Sequence, residues 1–152
     1  MPDLVKLPHY RQSAPGYCLP ACIRMILSGQ GIQRSESEIT KIIGAQAHGA
    51  PSFSVMRLQS PRLHVEYRSW SVVDVLSAIR SGTPVIAFVR TQFLDYWQED
   101  VAHAVVIVGA EPEEMFWVHD PMLTTGPVTT LWNGLLAGWA EFSYRGATLR
   151  RR

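Results

Sequence analysis

The chain has 152 residues, of which 47% are hydrophobic, 18% charged and 10% aromatic, a size and balance that suit one domain, residues 1–152, with a core of its own. Fourteen Lys and Arg against thirteen Asp and Glu leave a net charge of +1, too even for a phosphate-binding surface, so nucleic acid is not the expected partner. Two cysteines cannot make a disulfide framework, and the spacing of Cys18 and Cys22 inside one predicted helix fits a reducing compartment. The first ten residues lack the apolar core of a signal peptide. No stretch approaches the ~20 apolar residues that cross a bilayer, so a cytoplasmic protein is expected.

After Pro15-Gly16, apolar residues at Leu19, Ile23, Ile26 and Leu27 predict a helix that stops at Gly29-Gln30-Gly31. Pro20 is tolerated there because it falls in the first turn. Ser35-Glu36-Ser37-Glu38 is a capping-box sequence ahead of Ile39, Ile42 and Ile43, predicting a short second helix that ends near Gly44. Residues 45–60 read as loop. Leu63, Val65 and Tyr67 alternate with polar residues as a half-buried strand does, and Ser71 opens another helix through Val75, Leu76 and Ile79.

The apolar, β-branched runs Pro84–Val89 and Ala104–Val108 predict buried strands, followed by Met115–His119 and, last, Ala140–Tyr144. The basic end Arg150-Arg151-Arg152 reads as a solvated tail. Helices gathered early and strands gathered late predict an α+β domain with N-terminal helices packed on a mainly antiparallel sheet.

Cys18 falls between a turn and the first residues of the first helix. A thiolate there meets unpaired backbone N–H groups and the positive end of the helix dipole, which favour the charged, nucleophilic form. A buried Cys as a small apolar side chain is the plainer alternative. Cys22, one turn on, reads as packing. A metal site on both cysteines would need two further ligands from His103, His119 or Asp120, and the spacing within an amphipathic helix is not that of a zinc knuckle. Six residues before Cys18, Gln12 carries an amide that, with the Cys18 N–H, would supply two converging donors for an oxyanion.

Among the five histidines, His9 and His48 have no evident partner, and His64 alternates to the exposed side of its strand. His103 and His119 bracket one hairpin. If Gly109 closes opposite Glu114, the register sets His103 directly across from Asp120 on one face. The carboxylate would then hold one imidazole nitrogen and leave the other for a thiol. His119, adjacent to Asp120, points to the opposite face and reads as structural. Thr91–Val101, with Asp95, Glu99 and Asp100, leads into His103 and could overhang the site, where its carboxylates would favour a basic substrate. A solvated acidic loop is the simpler reading. The tryptophans, Trp97 among them, suit core as well as groove.

Leu7-Pro8-His9-Tyr10-Arg11-Gln12, then Tyr17-Cys18-Leu19-Pro20-Ala21-Cys22, and later His103-Ala104-Val105-Val106-Ile107-Val108-Gly109 and Val118-His119-Asp120-Pro121 resemble the active-site segments of cysteine peptidase family 39. That family comprises papain-like enzymes best known as double-glycine leader peptidases that process bacteriocin precursors. The resemblance implies a papain-like fold, Cys18 as nucleophile, His103 as base, Asp120 as its orienting partner and Gln12 in the oxyanion hole, with no cofactor and no metal. Transporter-linked members typically carry Asp-Cys-Gly at the nucleophile, where this chain has Tyr17-Cys18-Leu19, so a stand-alone member of the wider group is expected. Its substrate would be a peptide or protein, and an unfused exporter would be a possible partner. The leading expectation is hydrolysis of a peptide bond through an acyl-enzyme. Two others compete: acyl transfer to an amine by the same thiol, and a peptide-binding module of this fold with little turnover.

Overall fold

The computed structural model describes residues 2–152. Six strands form one sheet in the order β1-β6-β2-β3-β4-β5: β1 (Leu63–Ser69), β2 (Val85–Arg90), β3 (Ala102–Glu111), β4 (Met115–His119), β5 (Val128–Leu131) and β6 (Arg145–Arg151). Every pairing is antiparallel. Four helices cover it: α1 (Cys18–Gly29), α2 (Glu36–Ile43), α3 (Val72–Arg80) and α4 (Trp132–Ala140).

The two central strands are apolar on both faces, and this decides the layering. Ile86, Phe88, Ala104, Val106 and Val108 point into a core shared with α1, α2 and β1. Their neighbours Val85, Ala87, Val89, Val105 and Ile107 point into a second core under α3 and α4. Successive strand residues alternate faces, so an unbroken apolar run marks a strand with helices on both sides. The helices are therefore interleaved with the strands along the chain rather than collected before them.

Local signals set both ends of α2 and the start of α3. Ser35 and Glu38 form the capping box of α2, Gly44 ends it in the left-handed conformation (φ 73°), and Ser71 with Asp74 caps α3. The expected loop at 45–60 contains a 3₁₀ helix at Ser52–Leu58, whose Ser54 and Val55 are buried. The C-terminal third departs most from expectation. Ala140–Tyr144 is not a strand: Ser143 (φ 55°) and Tyr144 (φ 56°) are left-handed and turn the chain between α4 and β6. The basic end is not a loose tail either, because Leu63 and His64 pair with Arg151 and Arg150.

Helix α4 is hard to foresee because Gly134 and Gly138 weaken it intrinsically. Tertiary contact explains both residues. A Cβ on Gly138 would lie 2.6 Å from the Arg90 carbonyl oxygen, and one on Gly134 would lie 2.3 Å from that of Phe93. Their bareness lets Leu135 and Trp139 bury against the sheet.

The β3–β4 hairpin also differs from the expected register. Val106 pairs with His119 and Ile107 with Val118, whereas Gly109 pairs with Trp117, so Val108 is an unmatched bulge residue. Its carbonyl accepts a hydrogen bond from the Val5 N–H at 2.9 Å, which fastens the N-terminal segment along the sheet. His103 does not stand directly across from Asp120. Continued one step past His119, the ladder would set Asp120 opposite Val105, two residues from His103 on the same face and hence its diagonal neighbour. The contact forms across that diagonal.

The packing of α4 gives a prediction whose sign separates two effects. Gly138→Ala would stabilise a free helix by about 1 kcal/mol. Here the clash with the Arg90 backbone should outweigh that, destabilising the protein by about 1–3 kcal/mol and lowering Tm by several degrees in a thermal melt.

Candidate active site

The four residues singled out in the sequence border one cavity or lie directly behind it. Gln12, Cys18 and His103 line a cavity of about 560 Å³, and Asp120 is wholly buried behind His103. Cys18 is the first residue of α1, preceded by Tyr17, which makes no side-chain cap. The first N–H groups of the helix, including that of Cys18, consequently have no intrahelical acceptor. The wall beyond them is built of small residues, Gly16, Ala47, Gly49 and Ala50, with His48 beside them.

His103 is 7% exposed. Its Nε2 lies 2.7 Å from Asp120 Oδ1. A carboxylate only accepts, so Nε2 carries the hydrogen and Nδ1 is left for the thiol. Asp120 receives three further donors. The Met122 N–H bonds the same oxygen at 2.9 Å, and Tyr96 Oη and Trp97 Nε1 bond Oδ2 at 2.7 and 2.8 Å. The Trp97 ring also packs against the imidazole, with centroids 5.0 Å apart.

These contacts govern the charges. Burial resists ionisation of Asp120, but His103, Tyr96 and the Met122 N–H outweigh it and hold the carboxyl below its usual range. Burial also opposes a charge on His103, yet the hydrogen bonds and charges of Asp120 and Cys18 raise its pKa to about 9. The Cys18 thiol is desolvated as well. The hydrogen bond and charge of His103, with backbone hydrogen bonds from Ala104 and Leu19, nevertheless bring its pKa below the ordinary value. A thiolate–imidazolium pair is the species that these shifts favour near neutral pH.

Cys22 behaves oppositely. It is fully buried, its Sγ donates to the Ala104 carbonyl at 3.4 Å, and burial followed by the charges of Cys18 and Asp120 pushes its pKa well up. Among the described residues no group of three or more His, Cys, Asp or Glu side chains is placed to hold a metal ion.

Gln12 is buried, and its Nε2 donates to the Ala14 carbonyl at 2.9 Å. Only the amino end of the amide can meet a carbonyl, so this contact fixes the orientation. It leaves the second Nε2 hydrogen free for a ligand. Oε1 is buried without a partner among the described residues. The Gln12 main chain is tied to the Asp120 turn, its N–H donating to the Pro121 carbonyl at 2.7 Å.

Trp97, named among the groove-or-core tryptophans, does line the cavity, but its role and that of Tyr96 as donors to Asp120 escape the sequence reading. Both residues lie in Thr91–Val101, the segment considered there for its carboxylates. Two of those carboxylates are engaged elsewhere: Asp95 accepts from Thr130 Oγ1 and the Leu131 N–H at 2.7 and 3.0 Å, and Asp100 pairs with Arg90 at 3.1 Å. Glu99 alone of the three borders the cavity. The only available signal was the adjacency of two aromatic residues with polar hydrogens shortly before His103.

The two thiols should separate chemically. Iodoacetamide at pH 7 should alkylate Cys18 rapidly and leave Cys22 unmodified in the folded protein, as read by peptide mass spectrometry. His103→Ala should slow Cys18 labelling by roughly tenfold or more at pH 6–7, because each unit of restored thiol pKa is tenfold in thiolate. Equal, slow labelling of both cysteines would contradict the charge assignment.

No curated protein matches the chain by sequence. Among solved structures, a chain described as a C39-like peptidase from Bacillus anthracis superposes with a TM-score of 0.79 at 15% identity, covering 99% of this chain and 98% of that one. The peptidase domain of Streptococcus ComA, a bifunctional ABC transporter of a quorum-sensing pathway, gives 0.76 at 13% identity, over 97% and 99%. A double-glycine-motif protease from an AMS/PCAT transporter, solved with its leader peptide, gives 0.73 at 14% identity, over 99% and 98%. The mixed helical and antiparallel architecture is thus that of the C39 peptidase structures. The family model described as Peptidase_C39-like matches residues 4–147, and over that span, nearly its whole length, the chain belongs to the Peptidase_C39-like family.

Proposed function

We propose that the protein is a cysteine peptidase that cleaves peptide bonds through an acyl-enzyme, with Cys18, His103, Asp120 and Gln12 as its working groups. The observation that carries this reading is the position of His103, between the thiol at the start of α1 and a buried carboxylate held by four donors, at the edge of a 560 Å³ cavity.

In this mechanism the Cys18 thiolate attacks the carbonyl carbon of the scissile bond, forming a C–S bond and moving an electron pair onto oxygen. The Cys18 N–H and the free Nε2 hydrogen of Gln12 meet that oxyanion. His103 passes its Nδ1 proton to the leaving amine as the C–N bond breaks, which leaves a thioester. Water enters, gives a proton back to His103 and attacks the thioester. The acid product departs and the thiolate returns. Asp120 keeps the imidazole in the one orientation that serves both half-reactions.

The substrate class follows from cavity and kinship together. The small-residue wall and the apolar side chains of Leu19, Phe88 and Phe142 suit an extended peptide with a compact segment at the cut. One structural relative was solved with its leader peptide, and we infer a leader or precursor peptide as substrate here. No helix of the described residues is long and apolar enough to cross a membrane. A reducing compartment such as the cytoplasm would keep both cysteines as the free thiols they are here, and an exporter encoded separately would be the natural recipient of the product.

Two experiments test the reading. In a peptide-library digest the wild type should release products with free carboxyl termini. Cys18→Ala should abolish this, and Gln12→Ala should lower kcat by roughly 10²–10³ with little change in KM. Retained hydrolysis in Cys18→Ala, or products joined to an added amine in place of free acids, would overturn it.

The pH profile is the second test. Activity should rise as Cys18 ionises below the ordinary thiol range and fall as His103 loses its proton through about 9, giving a bell. The raised pKa of His103 also stabilises the fold below its ordinary value of 6.5, a contribution lost as pH climbs from there through about 9. The lowered pKa of Cys18 works in the opposite direction over the same interval, so the test is made in Cys18→Ala, where denaturant midpoints should fall from pH 6.5 to about 9 and should fall less when His103→Ala is added.

A further inference from the structure

His9 lies outside the cavity and takes no part in the chemistry above, yet it sits where two parts of the site join. Its Nε2 is 2.7 Å from the Leu123 carbonyl oxygen, and its Nδ1 is 2.9 Å from Nδ1 of His119. A carbonyl only accepts, so His9 Nε2 carries a hydrogen, and across the Nδ1–Nδ1 contact one ring donates and the other accepts. The rings stack with centroids 5.2 Å apart. His119 is 2% exposed, and burial together with the charge of His9 presses its pKa down to about 4, so it is neutral at pH 7.

What His9 grips is the turn that carries the triad carboxylate. The Leu123 N–H donates to the Asp120 carbonyl at 3.0 Å, and the Met122 N–H to the Asp120 side chain at 2.9 Å. Three residues after His9, the Gln12 N–H donates to the Pro121 carbonyl at 2.7 Å. One face of the turn thus holds Asp120 toward His103, while the other is held by the segment that delivers Gln12.

We propose that His9, through Leu123 and His119, is a positioning residue that keeps the Asp120 turn and the Gln12 segment in register. Loosening it would free Asp120 to drift from His103, and the imidazolium that sustains the Cys18 thiolate would weaken. Misplacements near 1 Å cost on the order of 10²-fold in rate, so a partial loosening should read as about tenfold.

The inference rests on the peptidase reading for its meaning, but its test needs no substrate. The rate of Cys18 alkylation by iodoacetamide is measured from pH 4 to 9 in folded protein, beside the Tm of each variant. His9→Ala should move the labelling profile toward higher pH by about one unit, roughly tenfold slower labelling on the acid side. His9→Gln, which keeps an amide donor for Leu123, should recover most of that shift.

Gly126→Ala supplies a second route. A Cβ there would lie 2.6 Å from His9 Nδ1 and 2.9 Å from His119 Nδ1, wedging the pair apart while leaving every titrating group in place. It should move the profile as His9→Ala does, and it decides the matter if His9→Ala does not fold. An unshifted profile in folded His9→Ala or Gly126→Ala, even with a lowered Tm, would make His9 merely structural and overturn the proposal. So would a His9→Gln profile no better than that of His9→Ala. Failure of every peptide to be cleaved would sink the peptidase reading while leaving this comparison intact.

Discussion

A carboxylate removed from water is held in place only by the donors that surround it, and Asp120 has four, from the end of β3, the segment before it, and its own turn. Each donor also serves a second contact. His103 faces the thiol, Trp97 packs on the imidazole, Tyr96 packs against the core under α3 and α4, and Met122 lies in the turn that the N-terminal segment covers. Removing a single donor would leave a buried charge under-satisfied, a costly condition in a low-dielectric setting. The same arrangement that stabilises the ion also determines where every neighbouring group must stand.

The sheet supplies the rigid frame for this cluster. Helices on both faces leave β2 and β3 with no solvated side, so the end of β3 that bears His103 cannot shift without disturbing two cores at once. Helix α1 meets that strand end with its first residues, and Cys18 and Leu19 line the cavity. Ala104 ties the two elements together, since its backbone serves both cysteines. Sulfur and imidazole are thereby carried by regular structure, while loops bring Gln12 and Trp97.

Much of this was legible in the residues, where the governing forces are local. Ser35 with Glu38 and Ser71 with Asp74 announce their helices because capping is decided within one turn of chain. His103 and Asp120 could be paired because a hairpin brings residues near its two arms together even when the register is out by two residues at that end. What stayed hidden depends on contacts across the fold. Gly134 and Gly138 look like helix breakers until the carbonyls of Phe93 and Arg90 come beside them. Tyr96 and Trp97 look like ordinary aromatics until a buried carboxylate needs their polar hydrogens. His9 has no visible partner because His119 lies 110 residues away in the chain.

The seclusion of Cys22 has a consequence for oxidative chemistry. Peroxide entering the cavity would convert the thiolate of Cys18 to a sulfenic acid, which cells rescue through a second thiol that condenses with it. Cys22 is one turn away but protonated, wholly buried and engaged with the Ala104 carbonyl, so it cannot serve as that resolving partner. Recovery must draw on a small thiol from solution entering the open cavity, and where none is present the damage advances to the irreversible sulfinic state.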